Sequence, residues 1–86
     1  MTVTTGRPDE AEIQEFLARE VALEAERPAH DLIDPDDSFQ DLGLDSLGAV
    51  NVAKRLEAAF GLRVKAVYFF DFPTIGALSR HLAEQN

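Results

Sequence analysis

The stretch GLDSL, residues 43–47, decides the fold because it introduces a proline-free run that continues to Gly61. Asp45 is a favoured N-cap type, and Gly61 stands where a left-handed C-cap is wanted, so the sequence predicts a helix between them. Ser46 is predicted at or beside its first turn, open to solvent. Helical spacing predicts one stripe of buried apolar residues and a second set of residues nearer the opposite face. The stripe is Leu47, Val50, Ala53, Leu56 and Phe60; the other face carries Asn51, Lys54, Arg55 and Ala58.

The hydroxyl of Ser46 is a candidate anchoring point for an anion. The first N–H groups of a helix have no intrahelical partner, and the macrodipole is positive there. A phosphoryl group on this oxygen would therefore meet favourable dipoles. The alternative is a simple capping hydroxyl, since serine is one of the commonest residues at helix starts.

Three motifs in order resemble the acyl carrier domains of modular polyketide synthases. Asp-Ser-Leu alone would be a weak match, but three motifs at family-like spacing are far more specific. The similarity covers about Ile13 to Leu82. The motifs are GLDSL at 43–47, LEAAFG at 56–61, and FDFPTI at 70–75 with Leu78 and Leu82.

The resemblance implies a non-catalytic carrier. In that family a serine matching Ser46 receives the 4'-phosphopantetheine arm of coenzyme A, and acyl intermediates ride on its thiol as thioesters. Asp45 would cap the helix and orient the serine, and Leu47 would offer an apolar contact beside the arm. The implied partners are a phosphopantetheinyl transferase, which modifies the serine, and ketosynthase, acyltransferase and other synthase enzymes.

The resemblance also implies where partner enzymes dock, and two of these positions depart from the family pattern. Asn51 stands where many members carry a glutamate five residues after the serine, and Lys65 stands where a proline often opens the next segment. Neither departure bears on attachment of the arm. The expected docking residues are Leu44, Leu47, Val50, Asn51 and Lys65.

Composition limits the function classes. The chain has 86 residues, which is enough for one small domain, and its net charge of -8 argues against nucleic acids and anionic membranes. It has no cysteine, so any thiol must come from a prosthetic group. There is no membrane-spanning run and no signal peptide pattern, so a cytoplasmic location is expected. The isolated domain is expected to be a monomer. Residues 1–8 are predicted to be a disordered lead-in or linker, and residues 9–86 the carrier domain.

The remaining pattern predicts an all-α fold. A first helix opens with a capping-box variant at Asp9 and Glu12 and should end near 25–27, before Pro28. A long acidic connection follows, in which Ile33 and Phe39 are expected to reach the core. The apolar stripe of the first helix is Ile13, Phe16, Leu17 and Val21.

The last third of the chain predicts one short and one long helix. The short helix should span about 66–70, and Thr74 is a plausible N-cap for the long one. The result is a small antiparallel four-helix bundle, three long helices and one short, with a long first loop. The aromatic core cluster is Phe69, Phe70 and Phe72, and the last stripe is Ile75, Leu78 and Leu82.

Acidic residues are concentrated before the serine helix. Between residues 28 and 53 the chain has six aspartates and no lysine or arginine. Two compatible interpretations are a solvated loop that keeps the protein soluble and an electrostatic guide for partners with basic surfaces.

Other chemistries fit the sequence poorly. A hydrolase elbow needs a glycine where Leu44 stands, and a triad would depend on His30 or His81, the latter expected to face solvent. A calcium loop beginning at Asp34 would have Phe39 where its glycine belongs, and no metal site is expected. The main alternative to the carrier is an unmodified helical protein–protein interaction module.

Overall fold

In the computed structural model of the protein, the described residues are 9–26 and 33–85, and they form five helices. Within these ranges there is no regular strand, only a lone bridge between Ser38 and Thr74. The predicted lead-in at 1–8 and the candidate His30 lie outside the described residues. The helices are α1 (Glu10–Glu24), α2 (Phe39–Leu42), α3 (Ser46–Phe60), α4 (Tyr68–Asp71) and α5 (Ile75–Glu84).

The all-α bundle is confirmed, with one helix more than predicted. The extra helix is the single turn α2, which lies inside the predicted long loop. The Ser38 hydroxyl caps it by accepting from the backbone N–H of Asp41 at 3.0 Å. A four-residue helix is too short to show a periodic pattern, so capping rather than periodicity was its only sequence signal.

Helix α1 is the central element, because it packs against both α3 and α5. Its capping box is present: an Asp9 carboxylate oxygen accepts from the Glu12 N–H at 2.8 Å, and the Asp9 N–H donates to the Glu12 carboxylate at 3.2 Å. Phe16 is only half-buried and packs edge-on against Phe60, with ring centroids 5.1 Å apart. The buried face of α1 is Ile13, Leu17, Ala18, Val21 and Ala22.

The buried stripe predicted for α3 is wrong in part. Leu47 is 68% exposed, and Val50 and Phe60 are only half-buried. Apolar residues follow two overlapping helical rows here, so periodicity alone could not choose between them. The structure buries the row with the smaller side chains, which allows α1 to approach closely. The buried residues of α3 are Gly48, Ala49, Val52, Ala53 and Leu56.

The connection before α3 is fastened to the start of α5. The Phe39 N–H donates to the Pro73 carbonyl at 2.8 Å, and the Gly76 N–H donates to the Pro35 carbonyl at 2.8 Å. Phe39 is buried as predicted, and Ile33 packs half-buried against the core. These contacts give the loop that precedes the serine helix a fixed position.

The aromatic cluster after α3 differs from the prediction. Phe69 is buried and Phe72 half-buried, but Phe70 is 66% exposed. Neighbouring residues of a helix point about 100° apart, and in the single turn α4 Phe69 takes the position that faces the core while Phe70 points outward. His81, expected to face solvent, is half-buried and stacks on Phe72 with ring centroids 4.1 Å apart. Thr74 caps α5 as predicted, its hydroxyl accepting from the Ala77 N–H at 3.1 Å.

Ser79 on α5 is fully buried, and its hydroxyl has no hydrogen-bond partner within the described structure. A buried unpaired hydroxyl lowers stability, and alanine is also the better helix former. We expect Ser79→Ala to raise the free energy of unfolding by about 1 kcal/mol, measured by urea denaturation. A loss of stability in this variant would show that the hydroxyl makes a favourable contact.

Candidate functional site

The start of α3 is held by two hydrogen bonds to Asp45. Its side-chain Oδ1 accepts from the Gly48 N–H at 2.7 Å, and its carbonyl accepts from the Ala49 N–H at 2.9 Å. Asp45 is therefore the N-cap, as the sequence predicts, and Ser46 is the first residue of the helix. Gly61 ends the helix with φ 67°, the left-handed conformation that favours glycine. Both ends of the serine helix are thus fixed by local sequence.

Ser46 differs from the other serines in accessibility. The chain has three serines. The hydroxyl of Ser38 is engaged as the cap of α2, and Ser79 is wholly buried. Ser46 is exposed, and no acceptor or donor for its hydroxyl occurs among the described residues. Accessibility therefore distinguishes Ser46 from both other serines as a candidate for modification.

The residues predicted around the serine are mostly brought together. Leu47 is exposed next to Ser46, and Val50 lies one turn further on, half-buried. Leu44 is half-buried against the core, and its N–H donates to the Phe39 carbonyl at 3.0 Å. Lys65 lies on the connection between α3 and α4 and is exposed.

Sequence reasoning missed one participant, Glu24 at the end of α1. A β-carbon built on Gly48 would lie 2.9 Å from Glu24 Cγ and 2.8 Å from Leu44 Cδ1. Glycine leaves room for this approach, in which the end of α1 lies against the first turn of α3. A glycine inside a helical pattern was the available signal, because such a residue often marks close packing.

Glu24 is held by two residues of α3. Its Oε2 accepts from the Asn51 side-chain amide at 3.1 Å, and its Oε1 pairs with the Arg55 guanidinium at 3.0 Å. The same guanidinium reaches Glu20 at 3.2 Å. Asn51 and Arg55, predicted nearer the outer face of α3, are therefore engaged with α1. Asn51, which departs from the glutamate of the family pattern, suits this arrangement because a glutamate at this position would lie beside Glu24 and repel it.

The chain matches a known protein family. The family described as "Phosphopantetheine attachment site" matches residues 13–82, which is nearly the whole chain. The chain belongs to this family. It is accordingly a carrier domain, not an enzyme, and the group it carries is covalently attached 4'-phosphopantetheine. The resemblance drawn from the three motifs is confirmed.

Relatives of this carrier domain occur in large synthases. It is 36% identical over 78 residues to the pikromycin polyketide synthase component PikAII of Streptomyces venezuelae, with 91% of this chain and 2% of that protein covered. The domain spans only between 1% and 5% of the length of such polyketide synthases. The similarity therefore concerns the carrier domain alone.

Solved structures show the same fold. A free-standing peptidyl carrier protein of Acinetobacter baumannii superposes with a TM-score of 0.81 at 35% identity, covering 90% of this chain and 95% of that one. The A1-type ACP domain from module 5 of MLSA1 gives a TM-score of 0.79 at 32% identity, covering 95% of this chain and 82% of that one. The carrier fold is thus shared with both peptidyl and acyl carriers.

The residues at the start of α3 fit the phosphopantetheine group. Its phosphate needs an accessible hydroxyl, which Ser46 offers, and the N–H groups of Ser46 and Leu47 have no acceptor among the described residues. These open donors and the helix dipole favour a negative group. Residues 9–26 and 33–85 contain no group of three or more metal-ligating side chains and no helix that is long and apolar enough to cross a membrane.

Proposed function

We propose that Ser46 is the attachment point of 4'-phosphopantetheine in this carrier domain. The observation that carries the proposal is its position: it is the exposed serine with an uncommitted hydroxyl, at the capped start of the helix that the family motif introduces. Modification would join Ser46 Oγ to the phosphorus of the pantetheine phosphate of coenzyme A. The hydroxyl loses its proton, and adenosine 3',5'-bisphosphate leaves.

The residues around Ser46 hold the modified position and leave it accessible. Asp45 fixes the first turn through Gly48, so the serine keeps one orientation at the helix end. Leu47 contributes exposed apolar surface beside it. When attached, the group supplies the terminal thiol that this cysteine-free chain lacks. Tethering on a flexible link typically gives effective concentrations on the order of mM.

We further propose that the cargo is a polyketide or fatty acyl intermediate held as a thioester and presented to ketosynthase, acyltransferase and other synthase enzymes. The polyketide synthase relatives support this choice over a peptidyl cargo. The docking contacts would be made by Leu44, Leu47 and Val50, together with Asn51. Lys65, exposed on the connection between α3 and α4, would make a further contact with a partner. Cytoplasmic location and a monomeric isolated domain remain predictions.

The test is intact-mass analysis of the purified chain after incubation with coenzyme A, magnesium and a broad-specificity phosphopantetheinyl transferase. We expect a single phosphopantetheine to be added, and proteolytic mapping to place it on the peptide that contains Ser46. A chain that remains unmodified under conditions that load a known carrier would favour the alternative, an unmodified helical interaction module.

A further inference from the structure

We infer that Glu24 of α1 is an acidic determinant of recognition by the transferase that modifies Ser46, an inference that rests on the proposed function. Glu24 lies far from the serine in sequence, but its Cγ is within 2.9 Å of where a Gly48 side chain would begin. Gly48 is in the same helical turn as Ser46. Gly48 follows Ser46 by two residues, so Glu24 meets this turn on another side from the serine hydroxyl, and an enzyme that surrounds this end of α3 would come within reach of its charge.

The Glu24 carboxylate is held in a defined position. Asn51 binds one of its oxygens and Arg55 the other, and the Glu24 side chain remains 20% exposed. Arg55 also pairs with Glu20, so one cation serves two carboxylates and the group keeps a net charge of -1. A fixed charge loses little entropy when a partner binds, which increases its contribution to recognition.

The negative charge of coenzyme A, the donor of the group, indicates that the transferase surface around its site is positively charged. Coenzyme A carries a diphosphate and a ribose phosphate, so a transferase needs basic groups around the site where it meets the serine. An acidic residue at the same end of α3 as Ser46 would attract that basic rim and so favour encounter and orientation. Glu24 is the residue of α1 that supplies such a charge in contact with the first turn of α3.

This arrangement also explains the neutral side chain at residue 51. The Asn51 amide lies 3.1 Å from the Glu24 carboxylate, so the charge stands next to the position where many family members carry a glutamate on the serine helix. Compared with family members that carry a glutamate at this position, the chain has its negative charge on α1 instead of α3. Exchanging the two side chains should move it back while preserving an amide–carboxylate pair.

The experiment compares Glu24→Gln with the exchange variant Glu24→Gln/Asn51→Glu, using a broad-specificity phosphopantetheinyl transferase and coenzyme A at low ionic strength. Glu24→Gln keeps one acceptor oxygen for Arg55, and its new amide group can still pair with Asn51, whose side chain has both a donor and an acceptor. We expect KM for the carrier to rise roughly three-fold with kcat unchanged, and the salt dependence of kcat/KM to become shallower. In the exchange variant KM should return toward the wild-type value.

Glu84→Gln is the matched control. It removes the same charge at an exposed site near the end of α5, where Gln85 binds the Arg63 carbonyl at 2.9 Å, beyond the far end of α3 from Ser46. Its KM should match the wild type. If Glu24→Gln behaves like this control, or if the exchange variant stays as slow as Glu24→Gln, the inference is wrong. Failure to modify the wild-type chain would instead remove the proposed function.

Discussion

Ser46→Ala is expected to abolish labelling by coenzyme A and a phosphopantetheinyl transferase while leaving the fold intact. The hydroxyl is the proposed nucleophile, and alanine has no oxygen to replace it. The helix should survive because its cap is the Asp45 side chain, which binds Gly48 rather than Ser46. Alanine is also the best helix former, and the position is exposed. Intact mass measures labelling, and thermal circular dichroism measures folding.

Ser38→Ala serves as the control for Ser46→Ala. It also removes one serine hydroxyl, but from the cap of α2, so it should be labelled normally and be less stable by about 0.5–2 kcal/mol. The two variants should therefore show opposite behaviour, one folded but unlabelled and the other labelled but destabilised. Labelling of Ser46→Ala would mean that the arm is attached to another hydroxyl, and the site assignment would fail.

Helix ends were the best-predicted feature of this chain, because they are decided locally. Asp9, Asp45 and Thr74 each cap a helix with a side-chain acceptor. These interactions depend on residues within one turn, so the printed sequence contains all the necessary information. The start of the serine helix, and with it the proposed site, could therefore be located before the structure.

The orientation of α3 could not be predicted in the same way. Its apolar residues form two rows, and the choice depends on α1, which packs against the small residues Gly48 and Ala49. Such a choice is tertiary and overrides local periodicity. The contribution of Glu24 escaped prediction for the same reason, since its contact with Asn51 joins two helices distant in sequence.

Placing α1 against the first turn of α3 gives the proposed site two layers. The outer layer is the accessible serine with Leu47 beside it. The inner layer is the group Glu20, Glu24, Asn51 and Arg55, which fastens the two helices. Because this group joins α1 to α3 and carries net negative charge, the proposed role of Glu24 would link the packing of the bundle to recognition by the transferase.

The orientation of α3 can be tested by a matched pair of leucine truncations. Leu56 is completely buried among residues of α1 and the rest of the core, whereas Leu47 is 68% exposed. Leu56→Ala should leave a cavity and lower the free energy of unfolding by about 2–5 kcal/mol, enough to remove much of the stability of so small a domain. Leu47→Ala should change it by less than about 0.5 kcal/mol, because the side chain is already solvated.

Urea denaturation of both variants measures the difference in their free energies of unfolding. The labelling reaction gives a second measurement, the KM of the transferase for each variant. Leu47→Ala should fold as the wild type but be labelled with a higher KM, since its exposed side chain follows Ser46 directly and would offer the transferase an apolar contact. Leu56→Ala, where it remains folded, should keep the wild-type KM. Equal destabilisation by the two truncations would mean that Leu47 packs in the core, as the helical spacing of apolar residues in the sequence predicted. In that case α3 would be rotated from the orientation described, and Leu47 would not be available to partners.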